Sequence, residues 1–280
     1  MRTRTQARRG LATYFAVVVP VSAALEWWMI THGGLRGPAG WLVLPLMYTP
    51  ALGSIVARLA GREGISDISF RWGGRAGTRA SVAAWLLPVA IGIVAYGVAV
   101  AAGLITFNPP VTRFANMESP ALRLMALIGI ALTAGTLGSC ISAFGEELGW
   151  RGYMVPRLVE AKVPAPDVVS GLVWCTWHVP LILWGGYAVG KYPLVSVLLF
   201  FLTIMPVALL YFRWRMTSGS LWPTVIAHGA WNVVIQAVFD RSTSGAGGTL
   251  WVGESGVLTA AAMWIAFVMM RRARWAGTAT

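Results

Sequence analysis

Only 11% of the 280 residues are charged, and few acids or imidazoles fall inside the long apolar runs: Glu26, Glu146, Glu147, His178 and His228. Ionisable groups at membrane depth are costly and mark function by default. Glu147 and Arg151 stand four apart with the acid first, so on a helix they pair along one face. Glu146, about 100° around the same helix, must point elsewhere. Trp174 and His178 repeat the four-residue spacing, aromatic beside imidazole. His228 and Asn232 repeat it again and put two hydrogen-bond donors on one face. A carboxylate at this depth suits general-base work, and paired donors on one helix face are the ingredients of an oxyanion hole.

The elements that must position these groups are membrane helices. A chain that is 57% hydrophobic, with mean hydropathy +0.67, is far too apolar for an ordinary water-soluble enzyme, for which roughly 45–50% is usual. Apolar stretches near the length of about 20 residues that a bilayer requires recur eight times. Their expected limits are Leu11 to Ile30, Trp41 to Leu59, Ala80 to Leu104, Ala121 to Phe144, Val168 to Tyr187, Pro193 to Tyr211, Leu221 to Phe239 and Leu250 to Met270. The expected fold is therefore an all-α, polytopic integral membrane bundle of about eight transmembrane helices, forming a single membrane domain over residues 1–280. Arg2 to Arg9 followed by an apolar run has the outline of a signal peptide. The apolar pattern continues through Trp27, Trp28 and Ile30, so an uncleaved first span is expected. Cys140 and Cys175 both lie in apolar stretches, which argues against a disulfide framework.

The net charge of +12 follows from topology. With the N-terminus inside, seventeen of the 22 basic residues fall on its side and five, Arg36, Arg113, Arg123, Lys191 and Arg241, on the other. Cytoplasmic loops carry such an excess. Both termini are expected in the cytoplasm, the lipid bilayer accounts for the basic charge, and no nucleic acid is implied. Counting inward from that side at 1.5 Å per residue, Glu146, His178 and His228 lie at similar depths of about 14, 15 and 10 Å. The site is expected to open toward the cytoplasmic leaflet.

Glu146-Glu147-x-x-x-Arg151, then Trp174-x-x-x-His178, then His228-x-x-x-Asn232, in this order in a polytopic chain, resemble the CAAX-protease and bacteriocin-processing family of intramembrane endopeptidases. The resemblance covers a core of approximately residues 121–239. It departs at Trp174, where the family usually has phenylalanine. The resemblance implies peptide-bond hydrolysis inside the membrane, with Glu146 activating water, His178 holding it, and His228 and Asn232 stabilising the oxyanion. Glu147 and Arg151 would order the site or hold substrate. It also implies a membrane peptide or protein substrate, either CAAX-type or lipidated. The Arg-rich, Lys-poor composition points to the plasma membrane of a GC-rich bacterium.

Metal-free glutamate catalysis is the expectation, with no cofactor. Were zinc held instead, its ligands would be Glu146, His178 and His228. Two other classes remain open: a non-catalytic immunity or scaffold membrane protein, and a proton-coupled transporter using the same three groups as a relay. Glu26 is assigned no role, and Glu254 is expected in a loop.

Overall fold

The computed structural model describes residues 2–245 and 247–271; Arg272 and Arg274, counted above on the cytoplasmic side, lie outside the described residues. Helix α1 (Arg4–Thr31) starts at a capping box, in which the Thr3 side chain accepts from the Gln6 amide and the Gln6 side chain reaches back. It is followed by α2 (Gly40–Gly61), α3 (Gly74–Ala101), α4 (Pro120–Glu160), α5 (Pro166–Gly185) and α6 (Pro193–Ser218). These six are long and apolar enough to cross a membrane by length and composition. Two more helical segments complete the bundle: α7, residues 222–239, and α8 (Val257–Met270). The all-α membrane bundle is thus as expected. A two-residue antiparallel ladder, Thr106–Phe107 with Thr243–Ser244, joins two loops at one end.

Several boundaries differ from expectation: α1 starts seven residues before Leu11, α3 six before Ala80, and α6 runs seven past Tyr211. Helix α4 runs on to Glu160, beyond the end near Val155 that Pro156 suggested, because a proline in the first turn of a continuing helical segment sacrifices no essential donor. The eighth segment starts at Val257 rather than Leu250. Gly253 adopts φ +81°, which ends the short turn Gly248–Trp251 and redirects the chain.

Because each helix reverses the chain, the N-terminus shares one face with the loops 62–73, 161–165 and 219–221. The loops 32–39, 102–119, 186–192 and 240–256 share the opposite face. Helix α1 packs on α2, α2 on α4, α7 on both α3 and α4, and α6 on α5 and α8. Small residues allow these approaches, as membrane packing requires. A Cβ on Gly145 would lie 2.7 Å from the Tyr48 ring, and one on Gly229 would lie 2.8 Å from Cys140 Sγ. Gly229 therefore sets the distance between α7 and α4, which bear His228 and Glu146, and Gly145 sets the approach of α2 to α4.

The N-terminal face is closed by ions. Arg157, fully buried, reaches Glu63 at 2.6 Å, Asp67 at 2.8 Å and Glu160 at 3.1 Å. Arg58 meets Asp67 at 2.7 Å, and Arg2 meets Glu63 at 3.0 Å. Partial burial of Asp67 would raise its pKa, but hydrogen bonds and charge from Arg58 and then Arg157 prevail and hold it below the usual carboxylate range. A depressed carboxylate stabilises the fold above its unfolded-state pKa, and that contribution is lost as pH falls through the folded value. Asp67→Asn should lower the melting temperature in detergent at pH 7, and the gap to wild type should close below about pH 4; a gap independent of pH would contradict the ionic account.

Candidate active site

Three helices each deliver one sequence motif, and each widens into a π-type turn at or immediately after it: Trp150–Met154 in α4, Leu181–Gly185 in α5 and Asn232–Phe239 in α7. Such turns free backbone carbonyls and recur at functional sites. Two arginines take up the freed groups in α4. Arg215 Nε donates to the Arg151 carbonyl at 3.0 Å, and Arg58 Nη2 donates to the Gly152 carbonyl at 2.9 Å.

The centre is a buried ion pair. Arg151 Nη1 lies 2.9 Å from Glu147 Oε1, and both side chains have no solvent exposure. The guanidinium also sits over the Trp174 ring at 4.3 Å and the Tyr211 ring at 4.9 Å, an arrangement that stabilises a desolvated cation. Glu147 Oε1 additionally meets His228 Nδ1 at 3.0 Å. A carboxylate already paired with arginine can only accept, so His228 carries its proton on Nδ1. Its Nε2 then faces Glu146 Oε1 at 3.9 Å, a spacing that a bridging water spans.

Glu146 is held by one oxygen. Its Oε2 accepts from Trp174 Nε1 at 2.8 Å and from Trp150 Nε1 at 3.3 Å, leaving Oε1 toward His228. Indole N–H groups only donate, so both tryptophans favour the carboxylate as acceptor. Trp174, where the resemblance expects phenylalanine, therefore supplies a bond that a phenyl ring lacks, and its aromatic character is only half of what it does. His178 Nδ1 lies 2.8 Å from the Trp174 carbonyl. It must donate there, which leaves the Nε2 lone pair free to accept.

Glu146, His178, His228 and Asn232 line a single cavity of about 100 Å³ with Trp177, Leu181 and Tyr187. Glu147 and Arg151 lie behind that wall. Of the six residues to which the resemblance gives a role in the reaction, Glu146, His178, His228 and Asn232 are thus brought to one surface, and Glu147 and Arg151 support it. Glu26 is buried in α1 outside the cavity lining. The expected opening toward the N-terminal side is not what the structure has. The cavity wall includes Leu35, Val43, Leu46 and Met47, where the chain turns back from the opposite face, and Gln236 near the far end of α7. The three would-be zinc ligands do not draw together: among the described residues no three His, Cys, Asp or Glu side chains are placed to hold a metal ion.

Several contributors escaped the sequence reading. Glu254, expected in a loop, is buried and accepts from Trp231 Nε1 at 2.8 Å and Gln236 Nε2 at 3.1 Å. Gln236 Nε2 also reaches Tyr187 Oη at 3.3 Å and Asn232 Oδ1 at 3.4 Å. The signal was present for Gln236, which continues the four-residue spacing His228, Asn232, Gln236 along one face of α7. For Glu254 the glycines around it hid the burial.

With this geometry in hand, the comparisons bear on identity. Residues 118–234 match the model of the family described as type II CAAX prenyl endopeptidase, Rce1-like. The match covers less than half of the chain. It runs from the start of α4 into α7 and includes every motif residue from Glu146 to Asn232, while Gln236, Glu254 and helices α1–α3 and α8 lie beyond it. No curated protein matches the chain.

Removing the buried cation tests the centre. Arg151→Met should destabilise the detergent-solubilised protein by about 3–5 kcal/mol, because Glu147 is left buried without its partner. Glu147→Gln in the same chain should recover part of that loss in a thermal-shift double-mutant cycle; strict additivity would show that the two side chains do not depend on each other.

Proposed function

We propose that the chain is an intramembrane endopeptidase in which Glu146 is the general base. The observation that carries this reading is the convergence of Glu146, His178, His228 and Asn232 from three helices on one cavity, with Glu146 fixed by its Oε2 and free at Oε1.

In this mechanism a water in the cavity gives a proton to Glu146 Oε1 while the His178 Nε2 lone pair accepts its second hydrogen. The water oxygen attacks the scissile carbonyl and a tetrahedral oxyanion forms. The Asn232 amide donates to it, since Asn232 Oδ1 is taken up by Gln236 and the NH2 group faces away. His228 Nε2 donates as well in the imidazolium form, a form that the Glu147 carboxylate on Nδ1 favours. Glu146 then delivers its proton to the leaving amine, the carbon–nitrogen bond breaks, and the carboxylate is restored. Glu147 and Arg151 act through His228, holding its ring and tautomer without touching substrate. No metal is required, because the proton acceptor is Glu146 itself.

The substrate is a membrane-associated peptide or protein, with CAAX-type or otherwise lipidated peptides as the class that the matched family's name points to. Apolar residues, Leu35, Val43, Leu46, Met47 and Leu181, stand beside the polar groups in the cavity wall, which is compatible with an apolar neighbour to the scissile bond. The chain resides in the plasma membrane of a bacterium, with its basic face and both termini in the cytoplasm.

Cleavage of a quenched hydrophobic peptide library by the purified protein in detergent tests the reading. Glu146→Gln should reduce turnover about 100- to 10,000-fold, the range of a lost general base. Trp174→Phe should reduce kcat about tenfold with little change in KM, since it removes one bond that orients the base. Activity should survive a zinc chelator. Chelator sensitivity reversed by zinc would replace this mechanism with a metallopeptidase, and equal silence of wild type and Glu146→Gln would favour a non-catalytic scaffold.

A further inference from the structure

Glu254 lies beyond the matched segment, yet it ends a file of hydrogen bonds that begins at Asn232. It follows Gly253, whose φ of +81° redirects the chain, and the loop that bears it is tied down along its course. The Tyr96 hydroxyl donates to Asp240, the Asn108 amide donates to the Ser242 carbonyl at 2.7 Å, and Thr243–Ser244 pairs with Thr106–Phe107. The Gly256 amide closes a turn on the Gly253 carbonyl at 3.1 Å. Glu254 is thereby a fixed and buried acceptor.

Hydrogen-bond polarity passes inward from it. An indole N–H only donates, so Trp231 Nε1, at 2.8 Å, marks Glu254 Oε1 as an acceptor. The same oxygen lies 3.1 Å from Gln236 Nε2. Gln236 must therefore turn its NH2 group, and not its carbonyl, toward Glu254. Its nitrogen also lies 3.4 Å from Asn232 Oδ1, and the NH2 group has a second hydrogen to give. The Tyr187 hydroxyl, 3.3 Å from that nitrogen, can donate or accept and so does not set the direction. Asn232 thus gives its oxygen to Gln236 and keeps its NH2 group for the cavity that both residues line with Glu146. A reversed Gln236 would offer its carbonyl to the Asn232 NH2 and leave Asn232 Oδ1 facing the site, where an acceptor repels an oxyanion.

We infer that Glu254 is a positioning residue for the oxyanion donor: acting through Gln236, it sets which end of the Asn232 amide faces the reacting carbonyl. This rests on the peptidase reading above, in which Asn232 donates to the oxyanion. It adds to that reading a residue that does not line the Glu146 cavity.

The test is steady-state cleavage of a quenched hydrophobic peptide by the purified full chain in detergent. Glu254→Leu should lower kcat about tenfold with KM within about twofold of wild type. Asn232→Ala should cost more, about 100- to 1,000-fold, because it removes the donor that Glu254→Leu only misdirects. Glu254→Gln should keep kcat within about threefold of wild type, since the Trp231 N–H holds an acceptor oxygen in the same place. In the Asn232→Ala background, Glu254→Leu should cost nothing further. Equal damage from Glu254→Leu and Glu254→Gln, or losses that multiply in the double variant, would overturn the inference. If Glu254→Leu does not fold, Gln236→Leu takes its place, because it leaves Glu254 bonded to Trp231; it too should lower kcat and should cost nothing further beside Asn232→Ala. Silence of the wild type toward every peptide would instead defeat the peptidase reading. A thermal-shift cycle between Gln236→Leu and Asn232→Ala then decides the link by itself, with coupling expected and strict additivity overturning it.

Discussion

The site depends on one arginine held without water. Burying a guanidinium in the middle of a membrane bundle costs several kcal/mol even after relaxation, and Arg151 has no solvent exposure. Three partners offset that cost: the Glu147 carboxylate and the faces of Trp174 and Tyr211. Each comes from a segment that must also be placed for the reaction. Glu147 fixes the His228 tautomer, Trp174 donates to Glu146 through its indole and accepts from His178 through its carbonyl, and Tyr211 brings α6 to the same point. Satisfying one buried charge therefore assembles the groups that the proposed mechanism uses as base, imidazoles and oxyanion donor.

The same logic explains why the helices are irregular where they are. A straight α-helix through Trp150–Met154 would keep its carbonyls paired internally. The π-type turn releases two, and Arg215 and Arg58 collect them from α6 and α2. Those arginines also reach the loop that carries Asp67: Arg215 donates to the Asp67 carbonyl at 2.6 Å, and Arg58 pairs with the Asp67 carboxylate. The ionic cluster and the Glu147–Arg151 centre are thus mechanically continuous through α4, with about three turns of helix between Glu147 and Arg157.

Much of this was legible in the residues. Four-residue spacings fixed which side chains share a face, and these are the pairs that meet: Glu147 with Arg151 directly, Trp174 with His178 through its carbonyl. Apolar run lengths located the helices, because a bilayer imposes a length that sequence displays. What sequence could not display was which partner crosses between helices. Nothing local to Trp174 says that its N–H reaches Glu146, twenty-eight residues away. Glu254 failed for the opposite reason: glycines make a segment look like solvent-facing loop, yet here Gly253 and its neighbours let the chain fold in so that the carboxylate meets Trp231 and Gln236. The side of opening also failed, since depth along a helix measures distance to both faces and only lining residues from other helices reveal which one is open.

That last point reorders the evidence for function. A carboxylate and two imidazoles at one depth fit a proton relay as well as a hydrolase, and depth alone does not separate them. A relay needs titratable steps continuing to both faces. Here the chain of polar groups stops at Arg151, whose guanidinium does not give up its proton, and beyond it lies a sealed ionic plug. On the opposite side a larger cavity of about 560 Å³ adjoins the site and shares Leu35, Tyr187 and Gln236 with it. A chain of polar groups that ends at a fixed cation favours the proposed hydrolase over a relay. A fixed cation at the dead end is what a hydrolase gains from it, because it holds the Glu147 charge in place and so keeps His228 ready to donate.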